Sequence, residues 1–437
     1  MNPIASQLNQ VIEAANPFIL ETLSQVGKNL FFPKGILAQS AEAKQKAHKF
    51  NATIGIATEK GQAMHLPSIM SFINNLSPGE CLTYAPSFGL PELRAAWKDA
   101  IYAKNPSLAG KSISLPIVSQ AITHGISVVG DMWFDPGDVL VLPDKMWGNY
   151  NLVLGVRRGV KVVNFPLFTA GGAYNVAGFE ETVKRLAGEN PKVSVMLNFP
   201  QNPTGYTASE KEAQAIAKVL IRTAQAGTRV LAICDDAYFG LFFDETCAKE
   251  SLFAKICDAD KRLVAIKLDG ATKEDFVWGL RIGFITYGTV VDGDPAPVWD
   301  ALEKKTAGAV RGSISNASHL SQRILAKAMR LPEYEKEKAQ KREILKARAL
   351  RVKQVLQNSK YADAWEAYPF NSGYFMCLNL KTVDAETLRV HLLEKYGVGL
   401  ISLSKTDLRV AFSCLEEDDT QELFDIVLKG VRDLEGR

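Results

Sequence analysis

An α/β fold, with a large domain of mostly parallel sheet flanked by helices plus a smaller α+β domain, is predicted by three features of the sequence. Between about residues 115 and 285, short runs of β-branched and aliphatic residues alternate with helical stretches. Those runs are apolar at nearly every position, as a strand covered on both faces requires. Beyond residue 316 the order changes to long helices, then a strand, a helix, a strand pair and a last helix, the pattern of a separate α+β unit. A chain of 437 residues is long enough for two domains. The expected division is a large domain at 60–315 and a small one made of 1–59 and 316–437.

In chain order, the first 50 residues read as mainly helical and polar, with apolar positions between Gln7 and Gln25 at mixed spacings of three and four. A short strand and turn over 51–58 leads into a loop ending at Pro67. A Gly/Pro loop over 84–89 joins a helix that starts at Pro91, where proline suits the first turn, and ends near Lys104. Strands are expected at 115–118, 139–143, 161–165, 193–198, 230–234 and 263–268. Between them fall helices from 123 to about 134, 176–187 and 209–226, with a turn at 135–138. Further helices are expected over 298–310, from near Asn316, and from Pro332 to about Asn358, the last charged enough to be a partly exposed connector. The C-terminal unit then reads as a strand at 374–380, a helix at 387–396, strands at 398–403 and 408–413, and a helix at 418–434.

Composition excludes several function classes. Hydrophobic residues make up 47% of the chain and charged residues 23%, as in an ordinary globular enzyme. A net charge of +3 without a long basic run argues against a nucleic-acid or membrane partner. The six cysteines are scattered without CxxC spacing, which points to free thiols in a reducing compartment. Five histidines, none paired at helical spacing, give no metal-site signal. The polar N-terminus lacks a signal core and no apolar run approaches membrane-spanning length, so a cytoplasmic protein is expected.

The chemistry gathers where strands end. Ligands of open α/β sheets bind beyond the carboxyl ends of the strands. There the sequence places Asn198-Phe-Pro-Gln-Asn202-Pro203-Thr-Gly205, Asp235-Asp-Ala-Tyr238, and Lys273 followed eight residues later by Arg281 between two near glycines. A lysine held among apolar walls loses its proton readily and becomes an amine nucleophile for carbonyls. Arg281 offers a fork of donors suited to phosphate. Trp147-Gly-Asn-Tyr150 follows the strand at 139–143. Each signal also has a plain reading: a turn for Asn202, a helix cap for Asp235, core packing for Trp147.

Their order and spacing together resemble the class I/II aminotransferases, which have the pyridoxal phosphate (PLP)-dependent transferase fold type I. The resemblance runs from about residue 50 to the C-terminus and includes Tyr84 to Gly89 with Arg94, and Leu-Arg-Val-Ala-Phe around Arg409. Trp147-Gly-Asn is closest to the aspartate and aromatic aminotransferase branch. The resemblance implies that Lys273 carries the cofactor and shuttles a proton, and that Asp235 keeps the pyridine nitrogen protonated. It further implies that Tyr238 and Asn202 bond the ring oxygen, that Trp147 stacks on the ring, and that Thr123 and Arg281 hold the phosphate. Arg409 would bind the substrate α-carboxylate, with Asn202 and Trp147 beside it. Tyr84 would reach the phosphate of a second subunit, which implies a homodimer with shared sites. Arg311 resembles an arginine that crosses the dimer interface to a side-chain carboxylate; a helix-terminal surface role is the other open reading.

Two departures stand out. Gly270 occupies a position where the family commonly has serine or threonine, and Ala121-Ile122 precede Thr123 where hydroxyls are frequent. A small loop residue is expected near Ala57. The expected activity is ping-pong transfer of an amino group from an amino acid, aspartate or aromatic, to a 2-oxo acid such as 2-oxoglutarate. A carbon–sulfur β-lyase on the same scaffold is the alternative.

Overall fold

Seven strands form the main sheet: β1 (Ile117–Gln120), β2 (Val139–Pro143), β3 (Lys161–Phe165), β4 (Lys192–Asn198), β5 (Arg229–Asp235), β6 (Leu263–Asp269) and β7 (Ile282–Gly288). The structure, a computed structural model, describes residues 1–33 and 35–436. Spatial order is β1-β7-β6-β5-β4-β2-β3. The pairs β3–β2, β2–β4, β4–β5 and β5–β6 are parallel, whereas β7 runs antiparallel to both β6 and β1.

Alternate residues of the central strands enter two separate apolar cores. On β5, Val230, Ala232 and Cys234 face one core while Leu231 and Ile233 face the other; β2 divides Val139 and Val141 from Leu140 and Leu142 in the same way. Helices Val176–Glu189 and Glu210–Gln225 cover the first face, contributing Phe179, Val183, Ile216 and Leu220. Helices Ala121–Trp133 and Ala296–Ile314 cover the second through Ile126, Val129, Trp299 and Val310. This two-sided burial explains the uninterrupted apolar runs, since a fully buried aliphatic side chain contributes about 1.5–3 kcal/mol. The helix at 210–225 starts where Ser209 and Glu212 form a reciprocal capping box.

Strand β7 was not among the expected elements. Its sequence, Ile-Gly-Phe-Ile-Thr-Tyr-Gly, is buried throughout, but two glycines and its neighbours disguise it as loop. Gly283 is required there: a Cβ would lie 2.7 Å from the Ala121 carbonyl carbon. The antiparallel direction of β7 brings its first residue to the edge where β4, β5 and β6 end. Gln120 of β1 pairs with Ile282, so the helix that begins at Ala121 starts at that edge too.

A second sheet, β8 (Trp365–Ala367), β9 (Phe375–Leu380), β10 (Ile401–Ser402) and β11 (Asp407–Ala411), has order β8-β9-β11-β10 and is antiparallel. Helices Ala385–Tyr396 and Thr420–Glu435 pack on it through Leu388, Leu392, Phe424 and Val427. The N-terminal chain reaches this unit, Phe50–Asn51 pairing parallel with Val398–Gly399. Helix His319–Ala328 instead leans on the main-sheet side, with Arg323 paired to Glu92 and Gln322 accepting from the Leu90 amide. The connecting helix Tyr334–Leu356 spans both units. Its Tyr334 and Lys338 hold Asp275, and its buried Arg348 donates to the carbonyls of Thr58 and Ser413.

Candidate active site

The ends of β4, β5 and β6, the start of β7 and the face of the small sheet enclose a cavity of about 370 Å³. Eight of the residues singled out in the sequence line it: Thr123, Trp147, Asn202, Asp235, Tyr238, Lys273, Arg281 and Arg409. Tyr84 and Arg311 do not. The Tyr84 side chain is 90% exposed. Arg311 lies exposed in the last turn of helix Ala296–Ile314 and donates to Ser315 Oγ at 2.6 Å.

Lys273 belongs to a single turn, Ala271–Glu274, directly after β6. That turn is clamped from behind, since Tyr374 donates its hydroxyl proton to the Lys273 carbonyl at 2.7 Å. The lysine is half-buried because the cavity opens onto it, and its Nζ donates to the Gly55 carbonyl at 2.6 Å. Burial, and then the nearby charges of Arg281 and Arg409, bring its pKa down to about 7. The small loop residue expected near Ala57 is thus Gly55, where a Cβ would sit 3.1 Å from Nζ.

Asp235 ends β5 and is 2% exposed. Its carboxylate accepts from the Tyr150 hydroxyl and, at 3.1 Å, from the Ala237 amide. Burial outweighs these bonds and raises its pKa to about 6. Asn198, at the end of the neighbouring strand, donates to the Asp235 carbonyl and accepts from the Asn202 amide, both at 2.8 Å. The Asn-Pro-Thr-Gly turn is held against the small sheet because Gly205, at φ +75°, admits close contact: a Cβ there would lie 1.9 Å from the Phe375 carbonyl oxygen.

Arg409 rises from β11 and is 1% exposed. Its guanidinium stacks 4.1 Å above the Phe375 ring, donates to the Thr53 carbonyl at 2.8 Å, and reaches Asn202 Oδ1 at 3.3 Å. Its Nε is buried without a partner among the described residues. At the opposite end, Arg281 has a left-handed backbone, φ 54°, as does Ala121, φ 60°. Such conformations cost a non-glycine residue about 1–3 kcal/mol and concentrate at sites that hold ligands. Gly270 has a steric reason as well: a Cβ would meet the Ile282 carbonyl oxygen at 2.5 Å, so no hydroxyl residue fits. The hydroxyl of Thr272, which lines the cavity, donates to that same carbonyl at 3.2 Å.

Several lining residues escaped the sequence reading. Tyr150 was visible in Trp147-Gly-Asn-Tyr150, but only the fold shows its proton directed at Asp235. Ile36, Ile54, Ile56, Trp278 and Phe375 form apolar wall and carry no local motif.

A sequence model of the family "Aminotransferase class I and II" matches residues 47–427. The chain belongs to the class I and II aminotransferases. Among curated relatives, an aspartate aminotransferase of Bacillus sp. (strain YM-2) is 25% identical over 58% of this chain. The match spans 60% of that relative's length. A solved aminotransferase from Anaerococcus prevotii superposes with a TM-score of 0.83 over 93% of this chain and 98% of its own, at 22% identity. The cytoplasmic aspartate aminotransferase of Saccharomyces cerevisiae does so with 0.75 over 96% and 100%, at 16% identity. These last two likenesses show a shared fold.

The class I and II aminotransferases depend on pyridoxal phosphate, and the residues present fit it. Among the described residues lining the cavity, Lys273, Arg281 and Arg409 are cationic and Asp235 is the single carboxylate, which suits a ligand set bearing a phosphate and a carboxylate. An amine whose pKa is brought down to about 7 and a buried carboxyl lie in the same enclosure.

Proposed function

We propose that the protein is an aminotransferase that moves an amino group from an amino acid to a 2-oxo acid such as 2-oxoglutarate, by a ping-pong mechanism. The observation that carries this reading is the amine of Lys273, held near a pKa of 7 in one cavity with Asp235 and the half-unsatisfied guanidinium of Arg409. Bound pyridoxal phosphate supplies an aldehyde for the amino group and a ring that accepts an electron pair. The chain supplies the rest. Arg281, the amides opening helix Ala121–Trp133, and Thr123 bind the phosphate. Asp235 would hold a proton on the ring nitrogen, Tyr238 and Asn202 would donate to the ring oxygen, and Trp147 would supply an aromatic face for the ring. Arg409 would take the α-carboxylate, which would orient the Cα–H bond. Lys273, whose pKa of about 7 leaves a large share of it unprotonated near neutral pH, would take the Cα proton and deliver it to the carbon that carried the cofactor's aldehyde.

The apolar part of the cavity wall includes Ile36, Ile54, Ile56, Ile122, Trp147 and Phe375. This chain offers no further lining cation among the described residues, so its own wall favours a large apolar or aromatic side chain. An acidic one needs Arg311 from a second copy. Exposed Tyr84 and Arg311 support a homodimer with shared sites. The sheet at 117–288 and the second sheet at 365–411 support a large domain near 60–315 and a small one from 1–59 with 316–437, except that helix His319–Ala328 packs with the large one. Among the described residues no helix is long and apolar enough to cross a membrane; together with the unpaired cysteines this supports a cytoplasmic enzyme. The relatives matched are named as aminotransferases, so the β-lyase alternative is not favoured.

Steady-state kinetics on Arg311→Ala test the substrate reading. Aspartate and 2-oxoglutarate are expected to lose about 2–5 kcal/mol of binding while alanine is little changed. Equal losses for acidic and apolar substrates, or none, would make Arg311 a structural residue.

A further inference from the structure

A charged cluster lies behind the cavity wall, and none of its members touches the cavity. Lys145 stands two residues before Trp147, on the loop that leaves β2; Asp407 stands two residues before Arg409, at the start of β11. The Lys145 ammonium and Asp407 Oδ2 are 2.8 Å apart. Asp407 is 3% exposed, and its Oδ1 accepts from the Tyr368 hydroxyl at 2.9 Å. The ammonium also lies 5.2 Å over the Tyr368 ring, with Asp144 a more distant neighbour at 3.7 Å. Burial opposes the charge on Lys145, but Asp407 more than offsets it, so the lysine stays protonated.

The cluster continues into the third wall element. The Lys145 carbonyl accepts from Gln201 Nε2, and Gln201 Oε1 accepts from the amide and hydroxyl of Thr204 at 2.9 and 2.5 Å. Gln201 immediately precedes Asn202, which receives Arg409 Nη1. Residues two apart on a strand share a face, so Asp407 and Arg409 project together from the small sheet toward the main-sheet loops. Trp147, Asn202 and Arg409 are thus each one or two residues from a member of one partly buried cluster.

Resting on the aminotransferase reading, we propose that the Lys145–Asp407 pair, braced by Tyr368 and Gln201, is a latch between the two sheets that sets Arg409 against Asn202 and Trp147 and so fixes the grip on the incoming carboxylate. Lys145 and Asp407 are positioning residues; they meet neither substrate nor cofactor. A pair with a buried carboxylate and a half-buried ammonium suits this role because its energy depends on geometry, whereas an apolar contact of the same size tolerates sliding.

The test measures binding of 3-phenylpropanoate, which cannot react, and of its neutral amide to the holoenzyme, by calorimetry. Lys145→Met and Asp407→Asn are each expected to weaken the carboxylate about tenfold, with the amide and cofactor retention unchanged. The double variant is expected to be no worse than either single one, because both break the same latch. Lys145→Arg, which keeps the charge and the reach, is expected to recover most of the affinity. If Asp407→Asn does not fold, Lys145→Met and Tyr368→Phe carry the measurement. Equal weakening of carboxylate and amide, parallel loss of cofactor, or unchanged affinities would overturn the latch. So would a wild type that does not bind the carboxylate. A wild type that binds it, with the latch effect intact, but transfers no amino group would overturn the functional reading and leave the latch standing. Transfer by wild type with unaffected variants would do the reverse.

Discussion

Lys267 and Lys273 lie six residues apart, one inside β6 and the other just past its end, and their surroundings push them in opposite directions. Burial discourages charge on both. At Lys267 the carboxylates of Asp236 and Asp269 outweigh it; the pairs are close, Asp269 at 3.2 Å, and the pKa rises above that of an ordinary lysine. At Lys273 the nearest charges are guanidinium groups, so they add to burial and the pKa falls to about 7. The difference shows that depth alone does not make a reactive amine. The sign of the neighbouring charge decides. It also separates their effects on stability. Lys273 is harder to protonate folded than unfolded, so it destabilises the cofactor-free protein below about pH 7, and that penalty fades as pH rises toward ~10.5. Lys267 is easier to protonate folded, so its contribution is fully present below ~10.5 and is lost only as pH rises through its higher folded value.

The largest expected effect comes from removing the reactive member. Lys273→Ala is expected to lower the rate of proton transfer by at least about 10²–10⁴-fold with the fold intact, since Lys273 is the one amine among the described residues that line the cavity. Single-turnover kinetics with an amino acid check this, and near-normal rates would break the contrast. Asp235→Ala comes next. Loss of one charge-assisted bond of about 1.5–3 kcal/mol corresponds to roughly 10–100-fold in rate. Wild-type rates would remove Asp235 from the mechanism. Lys267→Met should have the smallest effect on turnover. It leaves Asp236 and Asp269 buried without their cation, so about 3–5 kcal/mol of stability is expected to go while turnover per folded molecule stays within about threefold. Thermal denaturation and active-site titration together separate the two, and a turnover loss matching that of Lys273→Ala would contradict the contrast.

Much of this was legible in the sequence because it is local. The strands at 139–143 and 161–165 coincide with β2 and β3, since a continuous apolar run between helices has few other solutions. Six of the eight wall residues carried by motifs meet in one cavity because strands running the same way deliver their ends to one edge; Arg281 arrives at the start of antiparallel β7 and Arg409 from the small sheet. What stayed hidden depends on contacts between distant segments. Strand β7 was masked by Gly283 and Gly288, whose purpose is close approach to Ala121 and Cys257. Tyr150 could not be aimed at Asp235 without knowing that β4 lies between their strands. Lys145 and Asp407 are 262 positions apart and sit in no motif.

The most direct measurement is the pH dependence of labelling of the two lysines in cofactor-free protein by an amine-directed reagent, read peptide by peptide by mass spectrometry. Lys273 is expected to be labelled with a midpoint near pH 7, and Lys267 to stay unlabelled through pH 10. A midpoint for Lys273 near that of ordinary surface lysines, or labelling of Lys267 ahead of it, would contradict the assignment of Lys273 as the amine on which the site is built.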